Sequence, residues 1–515
     1  MRPSSKPSHR RRSTRNAFLL AAFTLVAALL LATQPGESAP RFSRAEWIEA
    51  HELENRFDGG ALPARPQDRR PPKRAIAGAQ ADDKAAAIAN PQVSVDLVAP
   101  DASAAQPETQ AEPFLAIDPR DERRLLAGYQ EARFEGGGAR ALAFAVSTNS
   151  GRKWAAGLIP TLTQLTGGPW QRASDPWVAF GPDHRAYFVS LAFDETRPDN
   201  AIVVSTSVDG GSSWGDPVTV HRPTGRDFDD KEAIVVDNYA DSPFRGRVYV
   251  AWDMARDDFA QPLLLSWSED GGASFAPAVT VKQGVNLGAL PLVGPGGVVH
   301  LIWGDFSFDT AFDRVQFLAA RSDDGGATWS APIHIDDSLS AGVRGMRTGG
   351  NIPAAAVDPR DGTLYVAWQD ARFTGSVEQI LLSRSTDGGA SWSPAEVVSD
   401  GPDDAPSFTP AIAVDGSGRV GVAYYSLRQD PARGMGVDLY LAFSTNGGRS
   451  FGPSRRISKG TWDAGFAAIS RGSFLGDYQG LVAGKKLFHP LFVATYRRSA
   501  LAGRLQPDVF TATVR

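Results

Sequence analysis

Residues 385–392 read Ser385-Thr386-Asp387-Gly388-Gly389-Ala390-Ser391-Trp392. Each residue type has a task in a tight turn. The aspartate accepts hydrogen bonds from the amides that follow it. The second glycine takes a positive φ without Cβ strain. The aromatic residue opens the next strand and packs into a core. The same template, Ser-x-Asp-x-Gly-x-x-aromatic, recurs at Ser147 to Trp154, Ser207 to Trp214, Ser268 to Phe275, Ser322 to Trp329 and Ser444 to Phe451, with Asn149 and Asn446 in place of the aspartate in two copies. The starts are 60, 61, 54, 63 and 59 residues apart. A constant period of this size marks a repeat architecture, and the turns are read as fold-stabilising.

Around the quoted turn the sequence alternates between strand-like runs and breakers. Ile352 to Val357, Thr363 to Trp368, Gln379 to Ser383 and Ala395 to Val398 give four strands, the first two joined by the turn Asp358-Pro359-Arg360-Asp361-Gly362. This is a four-stranded meander with the Asp-box turn between its third and fourth strands. First strands recur near Phe114, Trp177, Ala233, Leu290, Ile352 and Ala411, and a seventh at Asp477 to Ala483. The seventh unit lacks a fourth strand, which Val93 to Val98 is placed to supply, so pairing two otherwise open edges. The expected fold is all-β, a β-propeller of four-stranded antiparallel blades over residues 93–515, with seven blades favoured and six the alternative.

The 515 residues contain no cysteine, which excludes disulfides, thiolate metal sites and thiol nucleophiles. A net charge of −5 with no basic stripe through the repeats argues against nucleic-acid binding. Lys6, Arg10, Arg11, Arg12 and Arg15 precede an apolar run from Ala17 to Ala32. That is the pattern of an export signal, so residues 1–34 are expected to act as a signal peptide or an uncleaved anchor. The chain beyond them is expected to be secreted or periplasmic, with membrane contact only through that segment. Residues 35–92, rich in Pro, Ala and Arg, read as a flexible linker, with a short amphipathic helix at Arg44 to Phe57.

The meander sorts side chains between two ends. Starts of first strands and ends of second strands share the end opposite the repeated turns. There stand Glu112, Asp175, Asp230 and Asp477, with Tyr478 beside the last. Arg133, Arg372 and Arg428 lie where second strands run out, and Arg344 and Arg347 precede the fifth first strand. Guanidinium groups clamp an anionic group on a ligand. Paired carboxylates, or a carboxylate with a tyrosine, suit glycosidic cleavage, with carboxyl groups ~5–5.5 Å or ~6.5–9.5 Å apart. Asp175, Asp230, Asp477 and Tyr478 are therefore the candidate catalytic residues, and Glu112, Arg133, Arg372 and Arg428 the candidate substrate-binding residues. The alternative is that these charges pair across blades and only hold the fold. Asp227, Asp229, Asp230 and Glu232 form an acidic group whose oxygen ligands suit calcium, although the spacing is not that of an EF-hand; no other cofactor is expected.

The six turns resemble the Asp-box (BNR) repeats of the sialidase (neuraminidase) superfamily, over roughly Pro113 to the C-terminus. That resemblance implies a propeller with its site opposite the boxes and a glycan or glycoconjugate as ligand. In sialidases an Arg-Ile-Pro motif on the first strand supplies one arginine of a carboxylate-binding triad; here the matching stretch is Ala111-Glu112-Pro113. Sialidases have six blades. Two functions follow: glycan binding with hydrolysis, or a non-catalytic propeller scaffold docking a protein at the cell envelope.

Overall fold

The computed structural model describes residues 88–101, 103–307, 315–430, 435–499 and 503–515. The expected signal, most of the linker and the helix at 44–57 lie outside them. The described residues form strands and three single 3-10 turns.

The strands group into antiparallel meanders at the expected period. The first contains Gln110–Asp118, Asp121–Arg133, Ala139–Ser147 and Ala155–Leu158; the second Arg172–Phe180, Ala186–Phe193, Asn200–Ser207 and Val218–His221. A single residue pair, Ala139 with Ala173, joins these two. The third runs Phe228–Val236, Val248–Ala255, Leu263–Ser268 and Val279–Lys282, and the fourth Asn286–Val293, Val299–Asp305, Val315–Ser322 and Ile333–Ser338. The fifth holds Ala354–Val357, Leu364–Asp370, Gln379–Ser385 and Glu396–Val397; the sixth Ser407–Val414, Val420–Ser426, Gly436–Ser444 and Arg455–Arg456. The fifth first strand starts after Ile352 because Pro353 has no N–H to give to a ladder.

The seventh sheet comprises Gly480–Ala483, Phe488–Arg498 and Leu505–Thr511. Its outer edge is met by the N-terminal segment: Val93 N donates to Val509 O at 2.8 Å, and Thr511 N to Pro91 O at 3.1 Å. Residues 88–92, read as linker, already belong to this packing. Asn90 donates to Ile457 O and accepts from Lys459 N.

First strands touch first strands in order. Gln110–Asp118 contacts Arg172–Phe180, which contacts Phe228–Val236, and the succession continues through Asn286–Val293, Ala354–Val357, Ser407–Val414 and Gly480–Ala483 back to Gln110–Asp118. The core lies between neighbouring sheets. Tyr249 and Ala251 of the third pack with Leu301 and Trp303 of the fourth; Ile302 and Phe317 of the fourth pack with Val366 and Trp368 of the fifth. Trp252, Trp303 and Trp368, at equivalent points of second strands, are fully buried. Each such side chain contributes about 1.5–3 kcal/mol or more by leaving water.

The six repeated turns share one circuit. In the third, the Ser268 hydroxyl accepts the N–H of Gly272 at 2.8 Å and donates to Asp270, whose Oδ1 accepts the N–H of Ser274 at 2.9 Å. The Ser274 hydroxyl bond holds the Asp270 carboxyl down at about 2. The turns at Ser147, Ser207, Ser322, Ser385 and Ser444 repeat the serine-to-glycine bond at 2.8–3.0 Å.

Arginines link four of the sheets to the turn of the next. Arg124 of the first sheet donates to Gly210 O of the second, Arg185 to Gly271 O, Arg247 to Gly325 O at 2.8 Å, and Arg384 to Gly448 O. Charge-assisted bonds to a carbonyl are stronger than neutral ones. These struts fix the spacing of the sheets at the end carrying the Asp-box turns.

Candidate functional site

At the opposite end, five first strands bear the same irregularity. Glu112, Asp175, Lys231, Gly288 and Thr409 adopt φ values of 51°, 50°, 51°, 71° and 47°. Each opens a register shift against its second strand. A residue with a Cβ is strained there, and four of these five have one. Such bulges re-aim a side chain. Here they turn side chains from three separate sheets into one buried cluster.

Lys231 Nζ lies 3.1 Å from Asp175 Oδ1 and 2.8 Å from Asp477 Oδ2. The two carboxylates thus share one ammonium, and their oxygens are no farther apart than those contacts end to end. Arg347 also grips Asp477, with Nε 3.0 Å from Oδ1. Glu112 accepts from Gln130 Nε2, which also donates to Ser174 Oγ at 2.9 Å. Arg133 Nη1 lies 3.8 Å from Glu112 and donates to Gln130 Oε1 at 2.5 Å. Arg133 and Arg347 stack on the Phe474 ring, with Cζ to centroid distances of 4.1 and 4.7 Å. Each of these charged side chains is buried, none more than 8% exposed.

Burial separates the acids. It pushes the Glu112 carboxyl up to about 8, with the negative Asp175 adding to the effect and Lys231 and Arg133 opposing it. Burial also acts on Asp477, yet Arg347 and Lys231 hold its carboxyl below the usual range. Glu232, next to Lys231, is fully buried, and neither of its oxygens has a hydrogen-bond partner among the described residues. Burial, then Asp175, raises it well above the ordinary value. Burial likewise raises the Tyr478 phenol. The Tyr478 ring packs 5.3 Å from that of Trp177 and 6.2 Å from that of Phe114.

Of the residues singled out by sequence, the structure brings together Glu112, Arg133, Asp175 and Asp477, with Tyr478 against them. Asp230 stands one position from the bulge; it pairs in register with Asp253 and is half-buried. Lys231 takes the inward place instead. Arg372 and Arg428 are not in the cluster. Arg372 is held by Asp370 and Asp336. Arg428 is held by Asp400 at 2.9 Å and lies over the Tyr440 ring. Both lie two residues beyond the ends of their second strands, Leu364–Asp370 and Val420–Ser426, whereas Arg133 is the last residue of Asp121–Arg133.

The acidic group at 227–232 does not converge as metal ligands. Asp229 accepts from Trp252 Nε1 at 2.9 Å and contacts His221 Nδ1 at 2.8 Å. Among the described residues no group of three or more His, Asp or Glu is arranged to hold an ion.

Sequence reasoning missed Lys231, the role of Arg347, and Ser470. A signal existed for Lys231: like Glu112 and Thr409 it stands six residues before an aspartate at, or one residue past, the end of its first strand, namely Asp237, as Glu112 stands before Asp118 and Thr409 before Asp415. Ser470 lies in a connection outside the repeat and had none.

No family model and no curated protein matches the chain. Solved structures similar to it include the Hadza microbial sialidase Hz136, at 15% identity and a TM-score of 0.44, covering 61% of this chain and 63% of that one. The Penicillium chrysogenum alpha-L-arabinanase is similar at 13% identity and a TM-score of 0.43, covering 66% and 92%. The Trypanosoma rangeli sialidase is similar at 14% identity and a TM-score of 0.40, covering 79% and 55%. The chain therefore spans less than two thirds of the length of either sialidase.

Proposed function

We propose that this chain is an exported, seven-bladed Asp-box propeller that binds an extracellular glycan at the cluster of Glu112, Asp175, Lys231, Arg347 and Asp477, and cleaves it there. The observation that carries the reading is that the buried carboxyls of one cluster have opposite surroundings: Lys231 and Arg347 grip Asp477 and hold its carboxyl down, whereas Glu112 accepts from the neutral Gln130 amide and is pushed up by burial and by Asp175. Groups whose surroundings drive them apart in this way are what acid–base chemistry on one substrate requires. Glu112 is then the proton donor to the leaving oxygen, and Asp175 or Asp477, beside Tyr478, the opposing anionic group. Arg133 and Arg347 orient the ligand through its oxygens. The seven-blade reading is supported by the unbroken succession of first-strand contacts and by the pairing of residues 91–94 with the seventh sheet. Export is supported by the basic and apolar segments before Ala32.

A second reading is favoured by a different observation. Nearly every charge in the cluster has a partner within it, as in a propeller whose ion pairs only close the channel and whose rim docks an envelope protein. Turnover on a panel of fluorogenic glycosides separates the two. The glycan reading expects activity on at least one substrate, lost in Glu112→Gln and Asp477→Asn. No turnover by the folded protein on any glycoside, with no glycan bound, would sink it.

A further inference from the structure

The cluster is covered by a segment that starts on the sixth sheet, where Trp462–Asp463 pairs with Gly436 and Val437, and then leaves the meanders. After the sixth sheet the chain forms Trp462–Asp463, a turn at Ala464–Phe466, and a hairpin of Ala468–Ile469 and Ser473–Phe474. The base of this segment is fixed. Trp462 packs against Tyr425, Phe492 and Tyr496, and Asp463 O accepts from Thr495 Oγ1 at 2.7 Å.

The hairpin tip is attached differently. Its Ser470 hydroxyl lies between the two guanidinium groups and accepts from Arg133 Nη2 and from Arg347 Nη1, each at 3.1 Å. Its flank is held by a two-residue parallel ladder to Met346–Arg347. The Gln106 amide brackets Ile469, donating to its O at 2.8 Å and accepting from its N at 2.7 Å. Phe466 and Ile469 lie exposed on the outer side. Arg471, Gly472 and Gly476 take φ values of 57°, 146° and 140°, and a Cβ on Gly476 would meet the Glu112 backbone at 2.9 Å. The tip thus lies flush on the first strand, and it seats a neutral hydroxyl where two cations converge.

We infer that the hairpin 468–474 is an autoinhibitory plug: Ser470 occupies the double-guanidinium seat of Arg133 and Arg347, and the tip swings out on its Trp462 base to admit a ligand. The inference rests on the reading of the cluster as a ligand site. It accounts for a charged site that is nearly sealed.

The chain has no cysteine, so a single introduced thiol reports opening without interference. In Ser470→Cys the thiol sits at the plug; in Ser266→Cys it sits in a buried strand of the third sheet. Reaction with DTNB under native conditions should be about 100-fold faster at position 470, since local opening costs less than global unfolding. Adding Gln106→Ala, which removes two hydrogen bonds from the tip, should speed labelling at 470 about tenfold and leave 266 unchanged. Equal rates at both positions, or equal acceleration by Gln106→Ala, would overturn the plug. Should Ser470→Cys unfold, amide exchange in the wild-type protein decides: Ile469 and Ser473 are expected to exchange faster than Ala127, and equal protection refutes the inference. Neither measurement involves a glycan, so the plug can fail while the proposed function stands, and the reverse.

Discussion

Arg347 and Asp477, 130 residues apart in sequence, form a two-pronged pair with Nε 3.0 Å from Oδ1 and Nη2 2.5 Å from Oδ2. Both are buried. Breaking such a pair from one side leaves an uncompensated charge. Arg347→Met is expected to destabilise the protein by about 3–5 kcal/mol, measured by urea unfolding. Asp477→Asn keeps the shape but turns an amide NH2 toward a cationic donor and leaves Arg347 and Lys231 without their carboxylate, so a loss of similar size is expected.

Stability should fall as pH rises from 5 to 8. The Glu112 carboxyl titrates near its ordinary 4.5 in the unfolded chain and at about 8 in the fold. Between those values the folded state binds the extra proton, so unfolding releases it and becomes easier with rising pH. Glu112→Gln should reduce this slope in urea midpoints taken between pH 5 and 8, the remainder coming from Glu131 and Glu378, which burial raises to about 8 and about 7. Asp477 acts with the opposite sign: its contribution is full above its unfolded value and is lost only in strong acid.

The Asp-box turns predict a different pH behaviour. Hydrogen bonds hold the Asp270 and Asp387 carboxyls at about 2, so their contribution persists to below pH 4. Ser268→Ala removes the acceptor of the Gly272 N–H and should cost about 1–2 kcal/mol in thermal or urea unfolding. No change in the binding of any ligand is expected, because the turn lies at the far end from the cluster.

The inter-sheet struts give a contrast between two arginines. Arg247 reaches Gly325 O in the next sheet and lies 4.5 Å above the Phe244 ring. Arg247→Ala is expected to cost about 1–2 kcal/mol. Arg123, whose salt bridge to Asp121 is exposed at the surface, should be replaceable by alanine with no measurable loss of stability. Equal losses would mean that the strut adds nothing across the sheets.

The meander and its period were legible because every turn carries its own chemistry: serine, aspartate and glycine at fixed offsets can be read one turn at a time. The polar end was legible as a region, and Glu112, Arg133, Asp175 and Asp477 as members. Lys231 was displaced by one residue in favour of Asp230. In a strand that is half a pleat, and the bulge at 231 overrides plain alternation. Arg372 and Arg428 were grouped with Arg133 by repeat position, but local aspartates capture them first. Ser470 and Phe474 were not legible, since a covering hairpin obeys no repeat.

The central claim is that the buried carboxyls and cations at the first-strand bulges work on a glycan. It is tested most directly by turnover of sialylated and other fluorogenic glycosides, comparing the wild type with Glu112→Gln, Asp175→Asn and Tyr478→Phe, each first shown to be folded. The account predicts turnover on at least one substrate, a loss of about 100-fold or more in kcat for Glu112→Gln, as for removal of a general acid, and a marked loss for Asp175→Asn. Turnover unchanged by all three substitutions would contradict it.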